Sequence, residues 1–199
     1  MNTQQTLARA LLVLALLLVA FRPANVLMAD GPGILIDPTE NVTTSEDGST
    51  AEVSVVLASQ PLESVTIAVQ STNAAEGTVD PAELIFTPEL WDAPQHVTVT
   101  GQPDDIDDGD QVYAVQFSVT SDDPDYTGLS VPDVAVTNED IDTAGLAVNP
   151  ETGLSTDENG GSDQFSVTLL SRPTASVTIQ AASGTPAEAA VLPAAITIQ

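Results

Sequence analysis

The sequence predicts an all-β protein built from antiparallel sandwich repeats, the second of them truncated at Gln199. Three observations predict it: an internal repeat of 112 residues, short apolar–polar alternations of period two, and turn-forming dipeptides between those runs. Shifting the chain by 112 aligns 33–87 with 145–199 without a gap, and 20 of the 55 positions are identical. Shared positions include Gly33/Gly145, Pro38/Pro150, Thr44/Thr156, Glu46/Glu158, Gly48/Gly160, Glu76/Glu188 and Pro81/Pro193. So many coincidences exceed what shared composition explains, and they define a first repeat over 30–142 and the N-terminal half of a second over 143–199.

Within the first repeat, Val53-Ser54-Val55-Val56-Leu57, Val65-Thr66-Ile67-Ala68-Val69, His96-Val97-Thr98-Val99-Thr100 and Val115-Gln116-Phe117-Ser118-Val119-Thr120 alternate as half-buried strands do. Valine and threonine suit a pleated surface because their branched side chains pack well there. Asp47-Gly48, Gln60-Pro61, Asp80-Pro81, Asp108-Gly109 and Asp123-Pro124 punctuate these runs with residues that favour turns. About seven short strands at this spacing predict an immunoglobulin-like sandwich. Trp91 and Phe86 are expected in its core or at a corner.

Residues 1–29 stand apart from this pattern. Arg9 precedes the apolar run Ala10–Phe21 and small Ala29 follows, which is the layout of a secretory signal peptide with cleavage near Ala29. The run is shorter than the roughly 20 residues a spanning helix needs. An uncleaved N-terminal anchor is the other reading of this segment, and both put the remaining chain outside the cytoplasm. Apart from this segment no membrane insertion is expected.

The segment also holds Arg9 and Arg22, so the rest of the chain sets Arg172 alone against 29 carboxylates. Nucleic acids and anionic lipids are poor partners for such a chain, because lysine and arginine are what neutralise phosphate. Catalysis is not expected either. There is no cysteine, the single histidine His96 sits in a strand pattern, and no pair among the carboxylates stands out as an acid and base.

Twelve of the carboxylates fall between Pro103 and Asp142, concentrated in Asp104-Asp105-Ile106-Asp107-Asp108-Gly109-Asp110, Asp122-Asp123-Pro124-Asp125 and Glu139-Asp140-Ile141-Asp142, with Asp133 apart from these runs. Like charges this dense favour a hard divalent cation, and Ca²⁺ accepts six to eight oxygen ligands. A solvated acidic surface, serving solubility or life at high salt, is the competing explanation. The Asp104–Asp110 loop does not follow the EF-hand pattern, since Ile106 takes the third ligand position and Val115 the place of the closing glutamate.

Taken together, Glu46-Asp47-Gly48, Val53–Leu57, the Trp91–Gly101 stretch, the Asp104–Asp110 loop, Tyr126-x-Gly128-Leu129 and Val136-x-Asn138-x-Asp140-x-Asp142 resemble the bacterial tandem repeats related to Calx-beta domains. The resemblance spans 33–142 and then 145–199. It implies Ca²⁺ at one end of the sandwich, held by an early glutamate, an acidic loop before a late strand, and a C-terminal acidic run. On this chain those are Glu46; Asp104, Asp105, Asp107 and Asp108; and Asp140 and Asp142. The departure is Glu139-Asp140-Ile141-Asp142, which stands where the family carries an unbroken string of aspartates.

The expected function is that of a secreted or cell-surface structural or adhesion repeat, Ca²⁺-binding and non-enzymatic. Its partners would be Ca²⁺, neighbouring repeats of the same chain, and surface proteins or glycans. The alternative is a metal-free acidic stalk or accessory domain of a larger extracellular enzyme encoded downstream.

Overall fold

The computed structural model describes residues 31–199. The signal-peptide expectation for 1–29 lies outside these residues. All regular structure is β, and no helix among the described residues is long and apolar enough to cross a membrane.

Residues 31–142 form a sandwich of two sheets, its strands being β1 (Ile34–Asp37), β2 (Val42–Ser45), β3 (Thr50–Leu57), β4 (Val65–Ser71), β5 (Gly77–Asp80), β6 (Glu83–Phe86), β7 (Gln95–Gly101), β8 (Gln111–Ser121) and β9 (Val134–Glu139). One sheet runs β1-β3-β7-β5 and the other β2-β9-β8-β4-β6. The period-two runs land on β3, β4, β7 and β8, and their apolar members point inward: Val53, Val55, Leu57, Val97 and Val99 from one sheet meet Val65, Ile67, Val115, Phe117, Val134 and Val136 from the other. Burying one such side chain contributes about 1.5–3 kcal/mol over leaving it exposed. Phe86 is fully buried, and Trp91 packs against this core while its carbonyl accepts the Leu57 N–H at 3.3 Å.

The architecture is the expected one, with two refinements. The sandwich has nine strands where about seven are expected, because two expected strands are each split. Pro38 ends β1, Asn41 turns the chain in the left-handed region at φ 59°, and β2 resumes in the opposite sheet. Likewise β5 and β6 belong to different sheets on either side of Pro81. Because β2 keeps running after this change of sheet, it lies parallel to the last strand β9, pairing Thr44 with Asn138 and Ser45 with Glu139. The remaining pairings are antiparallel.

Four further strands follow: β10 (Leu146–Asn149), β11 (Ser166–Leu169), β12 (Val177–Gln180) and β13 (Ala195–Ile198). β10 pairs β11 as Leu146↔Leu169, and β12 pairs β13 as Val177↔Ile198, the registers of β1·β3 and β4·β6 displaced by 112 residues. Segments 154–157 and 189–192, which align with β2 and β5, form no strand. In the first sandwich those two strands pair only with β9 and β7, and residues 143–199 contain no strand aligned with either. Without a partner their backbone N–H and C=O groups have no ladder to join.

Candidate metal centre

Strand pairing gathers three sequence-distant acidic segments at one end of the first sandwich. β2 and β9 run side by side toward that end, and the Glu46 N–H extends their ladder by donating to the Glu139 carbonyl at 3.1 Å. The chain crosses between sheets there, from β7 to β8, through the loop 102–110. As a result the carboxylates of Glu46, Asp140 and Asp142 come within 4.8 Å of one another.

Backbone donors hold this trio in place. Glu46 Oε2 accepts from Ile141 N at 3.2 Å; Asp140 accepts from Gly109 N at 2.6 Å and from Asp142 N at 2.7 Å. Glu46 is only 4% exposed, and burial raises its pKa above the ordinary carboxylate value, reinforced by repulsion from Asp140, Asp104 and Asp142. Asp142 is raised for the same reasons, desolvation first and then Asp140, Asp105, Asp104 and Asp107. Asp140 moves the other way, because N–H groups of Asp142 and Gly109 stabilise its charge.

The acidic loop surrounds the trio without joining it. Asp104, Asp105 and Asp107 are exposed and near enough to repel Glu46 or Asp142. Asp104 Oδ1 accepts from Ile106 N at 2.6 Å, and Asp107 Oδ2 from Ala144 N at 2.6 Å, on the far side of the module joint. Asp108 meets Asp140 through its backbone, and its side chain lies outside the trio. Asp110, which the sequence reading left out of the ligand set, accepts the Asp140 N–H at 3.1 Å. Its place beside β9 follows from the β8·β9 register, which pairs Gln111 with Asn138 and is not legible locally.

Among the described residues, no cationic side chain pairs with the trio. The one contact of salt-bridge geometry among the described residues joins His96 Nδ1 to Glu52 Oε1 at 2.7 Å, out on the solvent face of β7 and β3. Arg172 reaches the acidic loop by donating its backbone N–H to the Asp105 carbonyl at 2.6 Å. The donor set is therefore all oxygen. Each carboxylate offers about four lone-pair sites, of which Glu46 spends one and Asp140 two or three on backbone donors, so capacity remains for a hard cation such as Ca²⁺.

The third acidic run does something else. Asp123 is buried and accepts from Leu62 N at 2.6 Å and Asp125 N at 2.9 Å, so its carboxylate ties down the β8–β9 connection.

The fold and site define an acidic β-sandwich module with a carboxylate cluster at one end. No protein-family model matches the chain, and no curated protein does. Similar solved structures include the apo-form Calx CBD1 domain, with 19% identity over 55% of this chain and 96% of that one and a TM-score of 0.43. Another is the calcium binding domain CBD12 of CALX1.1, with 14% identity over 70% of each chain and a TM-score of 0.45. The E. coli chaperone DraB shares 13% identity over 71% of this chain and 86% of its own, at a TM-score of 0.40. The fold assignment itself rests on strand order and register.

Proposed function

We propose that the chain is a secreted or cell-surface repeat protein whose first sandwich binds Ca²⁺ at Glu46, Asp140 and Asp142, with the loop acids Asp104, Asp105, Asp107 and Asp108 closing over the ion, and that its role is structural or adhesive and not catalytic. The observation that carries this reading is the buried Glu46 carboxylate facing two more carboxylates with no cationic side chain among the described residues to pair them. A buried charge is costly unless compensated, and a divalent cation supplies that compensation for several carboxylates at once. The repeat of strand registers at 112 residues supports two successive modules of one kind, at 30–142 and 143–199, although the sequence of the second ends at Gln199. The joint Thr143-Ala144 touches the acidic loop through Asp107, so an ion held there would also restrain one module against the next.

Calorimetric titration of the chain from Asp30 onward with Ca²⁺ tests the reading. Heat of binding with a rise in Tm is expected, and both should vanish in Asp140→Asn. Silence in calorimetry together with an unchanged Tm at millimolar Ca²⁺ would leave the acids as a solvated surface.

A further inference from the structure

Behind the carboxylates lies a second polar group, fully buried, that metal ligation does not use. Asn138 on β9 is 1% exposed, and all of its amide is engaged. Its Oδ1 accepts from Thr44 Oγ1 at 3.1 Å; its Nδ2 donates to the Gln102 carbonyl at 3.1 Å and to Glu76 Oε2 at 3.3 Å. Thr44 in turn lies 3.4 Å from the Tyr113 hydroxyl.

The partners have a regular relation to the acids. Thr44 precedes Glu46 by two residues, Gln102 precedes Asp104 by two, and Asn138 precedes Asp140 by two. One side chain thus clamps the ends of β2, β7 and β9, from which the three acidic segments depart. Space is cleared for it: a Cβ on Gly101 would stand 2.6 Å from Asn138 Oδ1 and 2.3 Å from the Ser45 carbonyl. A core position here could have held valine, and a buried amide costs free energy unless every polar atom is paired. The internal repeat retains the same partners, Thr44 and Glu76 recurring as Thr156 and Glu188 together with Glu46 as Glu158, while their neighbours Thr43, Ser45 and Gly77 are exchanged.

We propose that Asn138 is the positioning residue of the carboxylate cluster, its amide holding the three strand ends in the one arrangement that brings Glu46, Asp140 and Asp142 together. As a metal-site device this rests on the Ca²⁺ reading above; as a statement about strand ends it does not.

The test uses Asn138→Leu, which keeps the shape and removes the amide, and Thr44→Val, which removes only the hydroxyl that meets Asn138 and Tyr113 and is the milder change. Hydrogen exchange is followed by NMR in chelator on the chain from Asp30 onward. The Glu46, Gly101 and Ile141 amides, one from each clamped segment, are expected to exchange about ten-fold faster in both variants, while Val69 and Phe117 in the middle of the β4·β8 pair keep their protection. Ca²⁺ affinity is expected to fall about 10- to 100-fold, as for other residues that orient ligands from behind. Uniform acceleration of all amides would reduce Asn138 to general stability, and unchanged exchange at the three reporters would remove the clamp; either result overturns the proposal. If the unsubstituted chain takes up no Ca²⁺, the functional reading fails while the exchange pattern still decides the clamp.

Discussion

Glu46 shows how one residue's surroundings set its chemistry. Its pKa is raised, so without metal the folded state binds its proton more tightly than the unfolded chain does. That contribution to stability is fully present below its ordinary value of 4.5 and is lost as pH rises through the raised value. Asp142 behaves alike above 3.8, whereas Asp140, lowered by its backbone donors, contributes above 3.8 and loses that contribution as pH falls through its lowered value. Thermal unfolding in chelator should therefore show stability declining as pH climbs from about 4.5 toward neutrality, and Ca²⁺ should abolish the decline. Glu46→Gln should be more stable than the parent in chelator at pH 7 and gain nothing from Ca²⁺; a less stable variant would mean the carboxylate is compensated from within the protein. A second residue-scale test concerns Tyr126, 1% exposed, whose hydroxyl donates to the Ser59 carbonyl at 2.5 Å and lies 2.9 Å from Ser59 Oγ. Tyr126→Phe leaves the Ser59 groups without their partner and should cost about 1–3 kcal/mol in urea unfolding.

At the scale of elements, the parallel β2·β9 pair decides whether a site exists. Each contributes one acidic segment, and the β7–β8 crossover contributes the third. At Gly101, β7 passes against β2, with the Ser45 carbonyl in the space a Cβ would need. Gly101→Ala should cost about 1–3 kcal/mol by overpacking, because the obstructing atom is backbone and cannot swing aside. The same substitution should weaken Ca²⁺ binding, since β2 carries Glu46; a stability loss with affinity intact would show that the strand ends move independently. The strands themselves were legible from their period of two, and the turns from Asp-Gly and Asp-Pro pairs. The parallel pairing was not, because a four-residue strand of Val42-Thr43-Thr44-Ser45 carries no local record of which sheet it joins.

For the molecule as a whole, a single arginine among 29 carboxylates means that self-repulsion opposes compaction in the region 30–199. Monovalent salt should raise Tm gradually by screening. Ca²⁺ should raise it at micromolar to millimolar levels where ionic strength scarcely changes, stabilising the fold by about 2.7 kcal/mol at a concentration 100 times Kd. Matching NaCl and CaCl₂ series by differential scanning calorimetry separates the two effects, and superimposable curves at equal ionic strength would leave no role for a specific site.

The sequence by itself determined the β class, the 112-residue period and the oxygen-only chemistry, since alternation, repetition and composition are properties of the chain read in order. The family resemblance carried by its motifs named seven acids, Glu46, Asp140 and Asp142 among them, without ranking them. Tertiary structure alone decided which of the seven converge: strand register places the trio within 4.8 Å, leaves Asp108 outside it, and turns Asp123 into a structural tie. It alone placed Asn138 behind them, a residue whose amide is spent on protein partners and whose importance comes from joining three strand ends. Register is a long-range property, fixed by which apolar faces can be buried together, and no local pattern of residues encodes it.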